Sequence, residues 1–375
     1  MSSRFLAGRA PRVVLAVVVI CVVAVIPLYA DTSLLQTGLF VCAFTVGAIG
    51  LNLLSGVTGQ LSLGHAFFVA IGAYGYVALA GDDGHLGLGL PSWLAAVLAP
   101  AIAGLAGLVF SPIASRLRGL YLGVATLALV FIGQHVLFSA TPLTGGYDGR
   151  SAPVLSVAGL RFGDDSGIVV AGVPFGQYEL LWYLGVALVA VAWWFVRGVV
   201  GGRPGRGLQA IRDGEVPAAV MGVGVRSGKA SAFVLSSVYA GAAGVLYALT
   251  VGRVVPDSFG LTMSVDYLAI IVLGGMGVIG GSAIGAVLVS GLPLLLNRYV
   301  DAIPLLAEPG SGGLDPASLA RYLYGALVVL LMIFEPDGLV AVVQRLIARF
   351  RRRREPGSPP PHPTGGSHVS APAAP

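Results

Sequence analysis

The side chains able to do chemistry in this chain are few, and they cluster. Between Gly50 and Phe68 the sequence reads GLNLLSGVTGQLSLGHAFF, which places Asn52, Ser55, Thr58, Gln60, Ser62 and His65 in an otherwise apolar stretch. Thr126 and Gln134 stand in a second apolar run. An unpaired polar group in hydrocarbon costs several kcal/mol, so all eight must face protein or water. Two arrangements satisfy them. They line a path for a small polar solute, or they form a hydrogen-bonded seam between packed helices.

A second cluster is charged. Residues 205–213, GRGLQAIRD, read as a short helix, Asp213-Gly214-Glu215 as a break, and Pro217 suits the first turn of a second helix that runs through Met221 and ends at Gly222. Arg206, Gln209, Arg212, Asp213 and Glu215 supply its polar groups, and Leu208, Ile211, Val220 and Met221 give the two helices apolar faces. Such faces either meet a partner surface or rest on a membrane. A third cluster is glycine: Gly274, Gly275, Gly277, Gly280, Gly281 and Gly285. Residues 275–280 match G-x-G-x-x-G, but a dinucleotide site needs a βαβ unit and this pattern lies in an apolar run. Close helix packing explains it better, with Gly277/Gly281 and Gly281/Gly285 both spaced as GxxxG. Gly228-Lys229 resembles the end of a phosphate loop, yet Val223 and Ala230 stand where Gly and Ser or Thr are required. There is no HExxH, paired carboxylate or nucleophile triad. Cys21 and Cys42 sit in apolar runs and read as small buried hydrophobes, with no disulfide or metal site. Neither catalysis nor a resident cofactor is expected.

The elements that carry these clusters follow from composition. Of 375 residues, 56% are hydrophobic and 10% charged, and the mean hydropathy is +0.88. A soluble domain has about 25% charged residues. The composition excludes a soluble enzyme, a nucleic-acid binder and a disordered scaffold, and it specifies an all-α polytopic membrane protein. Near-continuous apolar runs argue against a spanning β-barrel. Windows of about 20 residues give ten spans, near 13–30, 34–54, 61–80, 93–115, 119–140, 179–197, 230–250, 264–280, 282–297 and 320–340. Cleavage of the first as a signal peptide would leave nine. The eighth and ninth are separated only by the glycine cluster, which suggests a broken or re-entrant helix.

With residues 1–12 in the cytoplasm, 17 of the 22 basic residues fall inside, and 12 of the 17 acids fall outside or at the outer rim. Both termini are then cytoplasmic, 141–178 is an outer loop and 198–229 a cytoplasmic loop within a 13–340 membrane domain. Residues 341–355 read as a basic amphipathic segment on anionic lipid, and 356–375 as a Pro/Gly/Ser/Ala-rich tail.

Several of these stretches, in order, resemble the LivM-type permeases of branched-chain amino-acid ABC importers. They are GLNLLSGVTGQLSLGHAFFVAIGAY from Gly50, RLRGLYLGVATLAL at 116–129, LTGGYDG at 143–149, GRGLQAIRDGEVPAAVMGVGV at 205–225, VLGGMGVIGGSAIGA at 272–286 and FEPDGL at 334–339. The resemblance implies a bacterial inner-membrane permease paired with a homologous LivH-like permease. It implies two ATPase subunits docked on the 205–222 loop, which would hold the ATP and magnesium, and an extracytoplasmic binding protein. It implies import of leucine, isoleucine and valine by alternating access. A same-fold permease for urea, short amides or carboxylic acids is the nearest alternative, and an ion-coupled secondary transporter a more distant one. Two departures stand out: Pro217, where relatives favour helix formers, and Val278-Ile279-Gly280-Gly281, where many have a Ser and an aromatic.

Overall fold

A computed structural model describes residues 23–81, 87–157, 159–163, 169–170, 173–298, 316–334 and 338–340. The expected 1–12 segment, residues 13–22 of the first span, the 341–355 segment and the 356–375 tail lie outside the described residues.

The apolar runs fold as helices because only a helix satisfies every backbone group within one segment in hydrocarbon. Helix α1 (Thr32–Leu51) runs directly into a π-helical turn, Asn52–Val57. It is followed by α2 (His65–Ala80), α3 (Ser92–Arg116), α4 (Leu120–Ser139) and α5 (Gln177–Gly201). Two short helices, α6 (Arg203–Asp213) and α7 (Glu215–Val220), precede the long α8 (Val225–Val251). Then come α9 (Leu261–Gly274) and α10 (Gly281–Ala286). A π-helical turn, Val287–Gly291, joins α10 to α11 (Leu292–Arg298), and α12 covers Pro316–Phe334.

Among the described residues, six helical rods are long and apolar enough to cross a membrane, and α2, α9 and α12 are shorter apolar helices. These nine correspond to the second through tenth expected spans. Residues 23–29, the end of the first, are helical. They are held to α5 by Trp182 Nε1 donating to Val23 O (3.0 Å) and Tyr183 OH donating to Ala24 O (2.9 Å).

Two expected spans are shorter than their apolar runs. The 61–80 span is helical only from His65, because residues 61–64 form bonds that a helix would not allow. Leu63 N–H donates to Thr126 Oγ1 (2.9 Å), and Gly64 N–H to Ser62 Oγ (3.3 Å). The 264–280 span ends at Gly274, since Gly275 (φ 106°) and Gly277 (φ 86°) turn the chain through the left-handed region. The gap between α9 and α10 is thus a turn, in keeping with a broken helix.

Helix α8 is the centre of the bundle and packs on α1, α2 and α3. Its crossing with α2 is close because Gly72 faces the Gly241 backbone and Gly244 faces Val69 O. At one end, the described residues of 141–176 form a turn, Thr141–Thr144, and small antiparallel ribbons. Strand β1 (Arg150–Ser151) pairs with β6 (Arg253–Val254), β2 (Ser156–Val157) with β3 (Leu160–Arg161), and β4 (Val169–Val170) with β5 (Val173–Pro174). The LTGGYDG stretch builds the turn. Thr144 Oγ1 donates to Leu137 O (2.6 Å) and accepts from Gly146 N–H (3.1 Å), and buried Arg150 donates to Leu143 O (3.1 Å). At the opposite end α6 and α7 form an elbow.

Candidate functional site

The polar cluster of α1, the elbow and the glycine turn meet at one place. Asn52 opens the π-helical turn, a local widening often found at functional positions. Its Oδ1 accepts from Gly277 N–H (2.7 Å), and its Nδ2 donates to Val278 O (3.1 Å) and Ser282 Oγ (3.2 Å). One buried side chain thereby holds the turn between α9 and α10. One helical turn further on, Gly56 lies against the Gly277 backbone with no room for a Cβ. Its carbonyl accepts a hydrogen bond from Arg212 Nη1 of α6. A continuous chain of contacts therefore links the elbow, the π-helical turn and the glycine turn.

A second tie anchors the elbow. Glu215, the first residue of α7, pairs with Lys229 at the base of α8 and with Arg118 Nε (2.9 Å) between α3 and α4. Lys229 is only 3% exposed, so removing Glu215 would leave a buried charge unpaired. Lys229 O also accepts from Gln60 Nε2 (3.3 Å).

The remaining polar residues of the first cluster are mostly satisfied by backbone. Ser55 Oγ donates to Gln60 O (2.9 Å), and Thr58 Oγ1 to Leu53 O (3.1 Å). Thr126 Oγ1 donates to Leu122 O (2.9 Å) while accepting from Leu63. His65 is buried edge-on to Tyr267 (4.7 Å between centroids), and Ser62 is buried beside it in sequence. Gln60 Oε1 and His65 Nε2 are buried without a hydrogen-bond partner. Gln134 stands apart, next to Gly260. In this conformation Asn52, Ser55, Thr58, Ser62 and Thr126 form the helix-packing seam that the sequence allowed as one of two arrangements.

The elbow follows the expected helix-break-helix. α7 starts at Glu215, with Gly214 at its N-cap, so Pro217 falls within its first turn as expected. Met221 and Gly222 (φ 81°) form the turn after it. The four expected apolar residues divide. Leu208 and Ile211 are buried beside Gly228 of α8, whereas Val220 (84% exposed) and Met221 (73%) face outward, joined by Val216 (69%). Arg206, Gln209 and Asp213 are exposed.

The glycines also divide. Gly274 and Gly281 lie face to face, each leaving no space for a Cβ on the other, and Gly285 lies against the Ile270 backbone. Gly275 and Gly277 instead supply the turn, and Gly280 has open space around it. The Gly277/Gly281 GxxxG pairing expected from spacing is therefore not a packing pair, because the chain leaves the helix between them. Gly338 (φ 80°), from the FEPDGL stretch, packs on Gly274 and Gly275. Sequence reasoning missed Gly56, Lys229, Ser282 and Gly338. Only Lys229 carried a signal, as a lone ammonium entering an apolar run.

A family model described as "Branched-chain amino acid transport system / permease component" matches residues 33–333. The chain belongs to this family. It is 31% identical over 312 residues to the high-affinity branched-chain amino acid transport system permease protein LivM of Escherichia coli, covering 80% of this chain and 68% of that protein. The LivM protein of Salmonella typhimurium gives the same identity and coverage. A probable branched-chain amino acid transport permease protein LivM of Methanocaldococcus jannaschii is 26% identical over 255 residues, covering 66% of this chain and 67% of its own length. No solved structure matches the chain. The chain is a multi-pass membrane permease component, and the family match spans both the seam and the elbow.

Proposed function

We propose that this chain is a permease subunit of an ATP-driven importer of leucine, isoleucine and valine, moved by separate ATPase subunits that bind its elbow. The observation that carries the reading is the physical chain from elbow to bundle. Val216, Val220 and Met221 offer an exposed apolar knob. Behind the knob, Glu215 grips Lys229 and Arg118, and Arg212 grips Gly56. A pull on the knob is transmitted to the π-helical turn and, through Asn52, to the turn between α9 and α10. The seam around Asn52, Ser55, Thr58, Gln60, Ser62, His65 and Thr126, with Gln134 beyond it, is the proposed translocation path, opened when that turn moves. Its groups are uncharged.

In this reading the elbow faces the cytoplasm, as the arginine distribution supports. A homologous permease completes the membrane unit, the ATPases hold ATP and magnesium, and an extracytoplasmic protein delivers substrate. The test is co-purification with a tagged chain, followed by reconstitution in vesicles. Two ATPase subunits and a second permease are expected, with leucine uptake that requires ATP. Uptake by the isolated chain driven by an ion gradient, or an extracellular elbow in a labelling experiment, would overturn the reading.

A further inference from the structure

At the end of the bundle opposite the elbow, α1, α8, α9, the π-helical turn before α11, α11 and α12 line an open cavity of about 400 Å³. We infer that this cavity is a binding site for a zwitterionic α-amino acid with an apolar side chain, held by Asp266 through its ammonium and by Arg321 through its carboxylate. The inference rests on the import function proposed above and deepens it by naming where solute first meets the permease.

Three features of the cavity point to this ligand. The first is charge. Asp266 lies in the second turn of α9, and Arg321 of α12 is near enough for their charges to interact. A carboxylate and a guanidinium in one lining, with Asp257 as a second carboxylate, match the two ends of a zwitterion. Neither end alone would satisfy both. The carboxylate is also held in place, because Tyr324 OH donates to Asp266 Oδ1 (2.7 Å), which leaves its other oxygen for a ligand. The second feature is the rest of the lining, where Phe40, Phe44, Met263, Val289 and Leu294 present apolar surface to a side chain. The third is size. Ligand pockets run from roughly 300 to 1,000 Å³, so this one takes a small solute and excludes a peptide. An ionisable residue within a membrane helix otherwise carries a large desolvation cost, and its presence there marks a functional position. The cavity lies at the 141–176 end, where a delivery protein would release its cargo in the proposed orientation.

The test uses the reconstituted importer complex with Cys21→Ala, Cys42→Ala and Ser290→Cys, the last being a cavity-lining reporter for a water-soluble thiol reagent. Leucine should slow labelling, about tenfold at ten times its half-effective concentration. Isovalerate and isoamylamine, each lacking one charge, should not. Asp266→Asn and Arg321→Ala should abolish protection, Arg321→Lys should keep part of it, and Tyr324→Phe should keep most, because it leaves the carboxylate charged. Labelling indifferent to leucine, in a complex that imports leucine with ATP, overturns the site and leaves the importer reading standing. Equal protection by isovalerate overturns the two-ended recognition. Failure of the complex to import leucine with ATP overturns the importer reading itself.

Discussion

Helices α1 and α5 are equally apolar in composition, yet they end in opposite surroundings. Of the apolar stretch of α1 and its π-helical continuation, 83% is buried inside the protein, against 17% for α5. The two helices carry similar shares of Gly and Ala, and the difference lies in what those residues meet: Gly38, Gly47 and Gly50 of α1 lie against neighbouring helices, whereas Gly198 and Gly201 of α5 have nothing within 4 Å. α1 and its π-helical continuation carry Gly38, Ala43, Gly47, Ala48, Gly50 and Gly56, and a Cβ at Gly47 would come within 2.6 Å of the Tyr267 ring. α5 carries Trp193, Trp194 and Phe195, all exposed. Lipid tails are as apolar as leucine, so hydrophobicity does not sort helices into core and periphery within a membrane. Close packing does, through small residues placed where neighbouring helices approach. α8 follows α1, with 72% of its stretch buried, and α4 follows α5, with 28%.

The comparison breaks most sharply at the α2–α8 crossing. Gly244→Val would drive a Cβ into the Val69 backbone and to 2.8 Å from Ala73 N. Overpacking of this kind costs about 1–3 kcal/mol or more when backbone must move. The expected outcome is loss of monodisperse protein after detergent extraction. The same change in α5, Gly198→Val, meets nothing within 4 Å and should leave the elution profile unchanged.

Asn52→Leu comes next. It removes three hydrogen bonds and strands Gly277 N–H and Val278 O, for a destabilisation of about 2–3 kcal/mol read in a thermal melt. Asn52→Asp keeps the acceptor for Gly277 and should fall between. A smaller effect on stability but a clear one on function is expected for Arg212→Ala, which cuts the tie from elbow to Gly56. In the reconstituted complex, ATP hydrolysis should continue while leucine uptake falls about tenfold, equivalent to 1.4 kcal/mol. Equal losses of both would show that Arg212 supports docking and not transmission. Trp194→Leu, on the outward face of α5 and 71% exposed, should shift the melt by no more than about 0.5 kcal/mol.

The elbow and the seam differ in how far they could be read from residues alone. The elbow is local: a helix, a glycine break and a second helix follow from neighbours in sequence, and all three appear where spacing placed them. The seam is not local. Asn52 and Gly277 are 225 residues apart, and no periodicity in either stretch reveals that they meet. The same holds for the cavity, whose Asp266 is held by Tyr324, 58 residues away.

What the sequence determined by itself was the class of molecule, the number and order of apolar runs, the bend at Gly214 and the clustering of polar groups near Asn52. Each depends on composition or on short-range spacing, because a helix in hydrocarbon must satisfy its own backbone. Only the tertiary structure decided which apolar helices are central, which glycines pack and which turn, and which charges find partners. Those outcomes depend on close approach between distant segments, and van der Waals fit and hydrogen-bond geometry act only once the segments are side by side.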